Sequence, residues 1–357
     1  MKRSIMMFVA AMVIFSGLNG TVFGQGLQGE RFFDITQITA PKGLPMALAK
    51  GIGDDGKVAM LSFLFPDRAQ LLIGNEKKMM SIADYGVESF FNPLIMTNSG
   101  AIVGYQEEGW DSFPSVMFVS DGQKKAIRLT EYGRIIDAKS NLGKVYVLVS
   151  RNDELVLCSA TASGVEPEMI VAERSYYTFY EEGGIAINGQ LDVMYLIAPT
   201  SFSFGDTYFS FISIFEIDLE KRAVNNNYIF GWDEESQYLA TVNFGGVDGV
   251  NLVGQYDDMP FVYDLSTRNL QTYVVGQDSE STQAKGIFSG EWLVGEYNSS
   301  SLFFQNMGVD ATMATIVDFP FEYMTVITVK GNKIVVKTGD NRFYAVTPLK
   351  NTVVARH

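Results

Sequence analysis

The feature that most limits how this chain can fold is a recurring phrase, a turn ending in glycine followed at once by a short apolar run. It reads DDGKVAM at Gly56, NSGAIVG at Gly100, NLGKVYV at Gly143 and INGQLDV at Gly189. It continues as VDGVNLV at Gly249, FSGEWLV at Gly290 and VKGNKIV at Gly331. Successive glycines lie 44, 43, 46, 60, 41 and 41 residues apart. A near-constant period of this size marks a repeat architecture, in which each unit buries its apolar surface against its neighbours. Within a unit the period is that of strands. The fifth divides into YLATVNF, NLVGQYD, PFVYDLS and LQTYVV, separated by the turn compositions GGVDG, DDM and TRN. The second divides likewise into LIMTN, AIVGYQE, PSVMFVSD and KAIRLTE.

Four antiparallel strands in a unit of this length is the pattern of a propeller blade. The sequence therefore predicts an all-β fold, a β-propeller of seven blades with four antiparallel strands each. The blades fall near 46–85, 86–133, 134–180, 181–237, 238–283, 284–322 and 323–357, all in a single domain over 25–357. The fourth unit is the long one, and its excess, SFSFGDTYFSFISIFEID (201–218), reads as a lengthened loop and third strand. A ring of sheets must hide its free edges. Both FFDITQIT (32–39) and NTVVARH (351–357) are available to the last blade, and strand 32–39 is expected to close the ring.

Residues 1–24 read as a secretory signal peptide. Lys2 and Arg3 precede an apolar core over 5–15 that is too short to span a bilayer, and Val22 and Gly24 take the positions before a cleavage site. The expected location is secreted, periplasmic or extracellular, after cleavage near Gly24, with no transmembrane segment. Removing the leader moves the formal charge from -14 to -16. Such a chain repels phosphate backbones, so nucleic acid is not an expected partner. Cys158, in ELVLCSA, is the only cysteine and reads as a small buried hydrophobe; stability must come from a core rather than an internal disulfide. The only histidine is His357, which removes Ser-His-Asp and Cys-His catalysis and histidine-built zinc sites.

The second unit, NSGAIVGYQEEGWDSFPSVMFVSDGQKKAIRLTEYG (98–133), resembles the HAF repeat of bacterial extracellular proteins. Gly100, Val103, Gly104, Phe118 and Gly122 match its pattern, while the closing Leu-Gly becomes EYG. Val253–Gly254 and Val294–Gly295 carry the likeness into the fifth and sixth units; the first, third, fourth and seventh lack the second glycine. The resemblance implies a propeller fold and secretion, and supplies no activity.

Loops joining second to third strands and loops joining one blade to the next emerge on one face, where a rigid scaffold carries variable segments. That face is loaded unevenly, by EEGWDSF (107–113), ERSYYTFYEEGG (173–184), TSFSFGDTYF (200–209), FGWDEESQY (230–238) and QYDDMP (255–260). The candidate ligand-binding residues are Trp110, Asp111, Tyr176, Tyr177, Tyr180, Trp232, Asp233, Asp257 and Asp258. Aromatic faces beside carboxylates suit sugar rings, and equally suit basic groups on a protein through cation–π contacts and ion pairs. The competing reading folds the aromatics back onto the blades and leaves the acids in solvent. Asp257 and Asp258 offer paired carboxylates for Ca²⁺ or acid–base work, but an Asp pair between strands is also simply a turn. No cofactor or metal is expected and no catalytic residue is assigned. The chain is expected to be a secreted non-enzymatic binding protein for a protein or glycan ligand, the alternative being a carboxylate-based glycan hydrolase or a Ca²⁺-dependent lyase.

Overall fold

The repeated phrase is a β-hairpin. The computed structural model describes residues 27–29, 32–41, 48–53, 56–64, 68–81, 91–108, 111–120, 123–129, 133–151, 154–173, 178–179, 183–204, 207–233, 235, 238–275, 282–308 and 314–349. Six of the seven phrase glycines, Gly56, Gly100, Gly143, Gly249, Gly290 and Gly331, have φ between 55° and 86°. Tight hairpin turns demand this left-handed backbone, which glycine adopts without a Cβ clash. Gly189 is the exception. Its hairpin pairs Asn188 with Val193, and Asp192, directly before Val193, takes the left-handed position at φ 50°.

Each hairpin opens a four-stranded antiparallel sheet, and seven such sheets form the propeller ring. Blade one comprises Leu48–Ile52, Val58–Leu64, Arg68–Asn75 and Lys78–Ser81. Blade two comprises Phe91–Met96, Ile102–Glu108, Asp111–Ser120 and Gln123–Arg128. Blade three comprises Arg134–Asn141, Lys144–Arg151, Glu154–Thr161 and Met169–Glu173, and blade four Gly184–Asn188, Val193–Phe204, Thr207–Asp218 and Ala223–Phe230. Blade five comprises Val242–Asp248, Asn251–Tyr256, Met259–Asp264 and Asn269–Thr272, and blade six Gln283–Phe288, Trp292–Asn298, Ser301–Asn306 and Thr315–Asp318. Blade seven takes Met324–Lys330, Lys333–Thr338 and Phe343–Pro348 from the C-terminal part of the chain and Phe33–Gln37 from the N-terminal part.

The core is divided by seam. Seven clusters of buried side chains lie one between each pair of neighbouring blades, including a blade-seven to blade-one cluster. This explains the apolar pair in every second strand. Successive side chains of a strand point to opposite faces. Leu252 therefore packs in the seam between blades four and five, and Val253 in the seam between five and six. Leu293 and Val294 repeat this one seam further on. Met60–Leu61, Ile102–Val103, Val147–Leu148, Leu196–Ile197 and Ile334–Val335 do the same in the other blades. A strand buried on both faces loses the alternation of a half-exposed one, and each fully buried Leu or Val stabilises by about 1.5–3 kcal/mol.

The glycine that follows this pair in blades five and six answers a different constraint. In every blade but the fourth, the first strand carries a β-bulge at matching register. At the fifth, the bulged strand brings the Asn243 carbonyl oxygen within 2.1 Å of where a Cβ on Gly254 would stand. Gln283 does the same to Gly295 at 2.0 Å. The fully buried rings of Phe261 and Phe303, cross-strand partners of these glycines, cover the bare backbone.

Closure uses the N-terminal segment twice. Phe33–Gln37 pairs antiparallel with Phe343–Pro348, which completes blade seven. Just before it, Leu27 and Gln28 pair in parallel with Val317 and Asp318, adding a fifth strand to blade six. The buried Phe33 stacks on Phe304 at 5.2 Å and meets Phe288 and Phe319 edgewise or tilted. Residues 351–357 lie outside the described residues. Across the last seam, Lys333 of blade seven donates to the Gly56 carbonyl at 2.7 Å and pairs with Glu76 of blade one. Burial pushes the Glu76 carboxyl up, but the hydrogen bond and charge of Lys333 outweigh it and hold the carboxyl below its ordinary value. Cys158 is buried in the seam between blades two and three, and burial pushes its thiol up to about 12.

Blade four departs from the expected lengthened loop. The excess residues are strand: Val193–Phe204 and Thr207–Asp218 pair continuously from Val193↔Asp218 to Phe204↔Thr207. The inner strand reaches only to Ile197 and the outer only to Ile212, so the hairpin projects beyond the blade. Thr178–Phe179 pairs with Thr200–Ser201 on this projection, joining blade four rather than the third unit.

Gly254→Ala is expected to destabilise by about 3 kcal/mol, because backbone rather than a movable side chain blocks the Cβ. Gly189→Ala, with open space and no left-handed backbone, should change stability by less than about 0.5 kcal/mol; urea unfolding of the two variants checks both. The Glu76–Lys333 pair contributes stability that is present above the unfolded glutamate value of about 4.3 and lost as pH falls through the lower folded value. The stability gap between wild type and Lys333→Met should therefore narrow as pH drops from about 6 to about 3. A gap that stays constant over that range contradicts this assignment.

Candidate functional site

Trp232 and Asp233 pair with Leu239 and Tyr238 in a two-stranded hairpin that links blade four to blade five. Gly231, at φ 86°, turns the chain out of the blade, and the Ala240 amide donates back to its carbonyl at 2.9 Å. Asp233 accepts from the Glu235 amide at 3.0 Å, the local bond that lets an aspartate shape a turn. The hairpin stands out from the sheet: Trp232 is 45% and Tyr238 52% exposed.

Asp257 and Asp258 form the two-residue turn between the second and third strands of blade five, with φ 43° and 66°. That is the turn reading of the pair, in a geometry that aspartate tolerates. The turn is also joined to the hairpin. Asp257 Oδ1 accepts from the Tyr238 hydroxyl at 3.0 Å and from the Thr241 amide at 2.9 Å, and the Asp257 amide donates to the Thr241 carbonyl. The bond to Asp257, with the nearby charges of Asp257 and Asp258, raises the Tyr238 hydroxyl above the ordinary tyrosine value. Tyr256, packed edgewise on Phe230, is raised by burial and by the charges of Asp257 and Asp233. The result is an exposed ridge in which Tyr238 and Asp233 share the face joined to the Asp257–Asp258 turn, while Trp232 stands on the opposite face of the hairpin.

Of the nine residues the sequence singles out, the structure therefore brings four together: Trp232, Asp233, Asp257 and Asp258. Trp110, Tyr176, Tyr177 and Tyr180 lie outside the described residues, and Asp111 is placed only by its backbone, at the start of Asp111–Ser120. Tyr238 belongs to the ridge but had no place among the nine. Its signal was the spacing from Asp233, which sets the two directly opposite each other on one short hairpin. Among the described residues, no three His, Cys, Asp or Glu side chains group so as to hold a metal ion.

The same face carries a cleft on blade seven. It lies between the connection Phe319–Tyr323 and the turn Thr338–Arg342, with a volume of about 410 Å³. Phe321, Glu322, Tyr323, Asp340, Arg342 and Tyr344 line it. Its lining comes from two stretches about 20 positions apart, neither of which stands out by composition, and so escaped sequence reasoning.

No family model matches the sequence, and no curated protein matches it either. Solved structures do. The β-propeller domain of the Trilobed protease from Pyrococcus furiosus, described as having an open velcro topology, aligns with TM-score 0.53 at 12% identity, over 89% of this chain and 99% of that one. A chain of the mitotic checkpoint complex aligns with TM-score 0.52 at 12% identity, over 92% and 94%. These likenesses show the fold, a seven-bladed β-propeller, and nothing of activity. Among the described residues, no helix is long and apolar enough to cross a membrane.

Proposed function

We propose that this chain is a secreted, non-enzymatic propeller that binds a partner through its loop face, centred on the Trp232–Tyr238 ridge. The observation that carries the reading is the bond from the Tyr238 hydroxyl to Asp257. It ties the inter-blade hairpin to the neighbouring turn, so that the exposed Tyr238 ring and the carboxylates of Asp233, Asp257 and Asp258 form one pre-set surface, with Trp232 exposed on the hairpin's other face. Pre-organised aromatic anchors at the centre of a patch are what binding surfaces use. Of the two ligand classes the sequence admits, protein or glycan, a raised acidic ridge suits a protein segment carrying Lys or Arg. The rings offer cation–π faces, the carboxylates offer ion pairs, and the formal charge of -16 that remains without residues 1–24 steers a basic partner in.

The enzyme alternative asks for two carboxyl groups free to act across a shared pocket. Asp233 and Asp257 instead accept the bonds that shape the hairpin and the turn, which supports the binding reading. Secretion rests on the leader-like residues 1–24 and on the HAF-like pattern of Gly100, Val103 and Gly104.

In affinity capture from the extracellular fraction of the source, the wild-type chain is expected to retain a basic protein that Trp232→Ala/Tyr238→Ala loses, and added salt should slow its association. Equal capture by the double variant would place the interface elsewhere. N-terminal sequencing of the exported protein is expected to begin at Gln25, and retention of residues 1–24 would contradict secretion by this leader.

A further inference from the structure

The blade-seven cleft lies outside the ridge and has a chemistry of its own. One wall is aromatic. The Phe321 and Tyr344 rings pack with centroids 4.5 Å apart, and Tyr323 beside them is 72% exposed. Tyr323 also has φ 56°, a backbone that a bulky aromatic residue adopts only where its surroundings enforce it. Here they do. The Met324 amide donates to the Ser299 carbonyl at 2.5 Å, the Gly339 amide donates to the Glu322 carbonyl at 3.4 Å, and Gly339 leaves the space into which Tyr323 fits.

The other wall is polar and pre-set. Thr338 Oγ1 donates to Asp340 Oδ1 at 2.5 Å, and Arg342 Nε lies 3.1 Å from Asp340 Oδ2. The hydroxyl bond and the Arg342 charge hold the Asp340 carboxyl below its ordinary value, so it is ionised at neutral pH. The contact to Asp340 is made through the Nε edge of the guanidinium. Both side chains are more than half exposed, which leaves the Nη donors and the remaining carboxylate lone pairs to a ligand.

We propose that this cleft binds a neutral hexopyranose ring of a glycan, its C–H face against Tyr323 and the Phe321–Tyr344 pair, its adjacent hydroxyls on Asp340 and Arg342. A fixed carboxylate beside a fixed guanidinium gives one acceptor and one donor side by side, the complement of two neighbouring hydroxyls. Glu322 and Asp340 outnumber Arg342, which disfavours phosphate or uronate ligands. A wholly apolar ligand would strip water from the Asp340–Arg342 pair and return nothing for it. The volume of about 410 Å³ lies within the range of small-molecule sites.

The test is titration calorimetry of the full chain with gluco-, manno- and galacto-oligosaccharides. At least one of the three is expected to bind. Tyr323→Ala and Arg342→Gln, both exposed changes that leave the melting curve intact, should each weaken binding about tenfold or more. Trp232→Ala should leave it unchanged. Absence of binding by all three sugars overturns the proposal, as does wild-type affinity in the two cleft variants. A loss in Trp232→Ala instead would move the sugar site to the ridge and overturn the cleft assignment. The ridge variant is carried in the same series, so failure here is distinguishable from failure of the protein-binding reading.

Discussion

A blade of this propeller is apolar on both faces, and only a neighbour on each side removes those faces from water. The whole structure depends on that constraint. Six seams form between consecutive units of the chain; the seventh has to be made by bringing the two ends together. Phe343 and Ala345 of blade seven pack there against Ile52, Val58, Met60 and Leu72 of blade one. Blade seven would lack its outer strand without Phe33–Gln37, whose Phe33 in turn fills the aromatic cluster shared with blade six. The N-terminal segment thus completes one sheet, extends the edge of another and plugs the seam between them. In a ring whose units are stabilised mainly by their neighbours, one missing interface weakens two blades at once. The ion pair of Glu76 with Lys333 and the bond from Lys333 to Gly56 reinforce this last seam with polar contacts set over a buried apolar base.

Two-sided burial also decides what the repeat looks like. The phrases LVGQY and LVGEY are similar because each position serves the same constraint one blade apart. The leucine fills the preceding seam, the valine fills the following one, and the glycine accepts a bulged neighbour beneath an aromatic ring. In blades one, three and seven the residue opposite the bulge is Met60, Val149 or Val336. The bulge by itself therefore tolerates a side chain. At 254 and 295 the bulged strand itself comes closest, its Asn243 and Gln283 carbonyl oxygens standing where a Cβ would need room, with the Phe261 and Phe303 rings next nearest.

The ring was legible in the sequence because its constraints are periodic. Turn glycines recur with the blade, and apolar pairs recur with the strand. The count of seven and the four-strand unit follow from those two periods. Features that occur once were not legible in this way. Nothing in LQ predicts the parallel pairing of Leu27–Gln28 with blade six, because two residues carry no period. SFSFGDTYF did contain a readable signal, polar and aromatic residues alternating on both sides of Gly-Asp in the sequence, but its length against the other units made a lengthened loop and third strand the simpler reading. At the site, Trp232 and Asp257 stand out by residue type, whereas Tyr238 matters through a cross-strand partner that only the fold supplies. The exposure of Tyr323 comes from a left-handed backbone and from the space left by Gly339, neither of which residue type reveals.

These constraints also locate where the molecule has freedom to acquire function. The middle of every strand is fixed by two seams, and the turn between first and second strands is fixed by hairpin geometry. What remains is the opposite end, where second strands meet third strands and one blade hands over to the next. There the units stop resembling one another: DDMP follows the second strand in blade five, NSSS in blade six, GDNRF in blade seven, and blade four continues as a projecting hairpin. In blade five that freedom holds an aspartate against the tyrosine of the adjoining hairpin and makes a ridge. In blade seven it sets an Asp–Arg pair opposite an aromatic wall and makes a cleft. One scaffold, repeated seven times under the same packing rule, thus presents two chemically distinct surfaces on a single face.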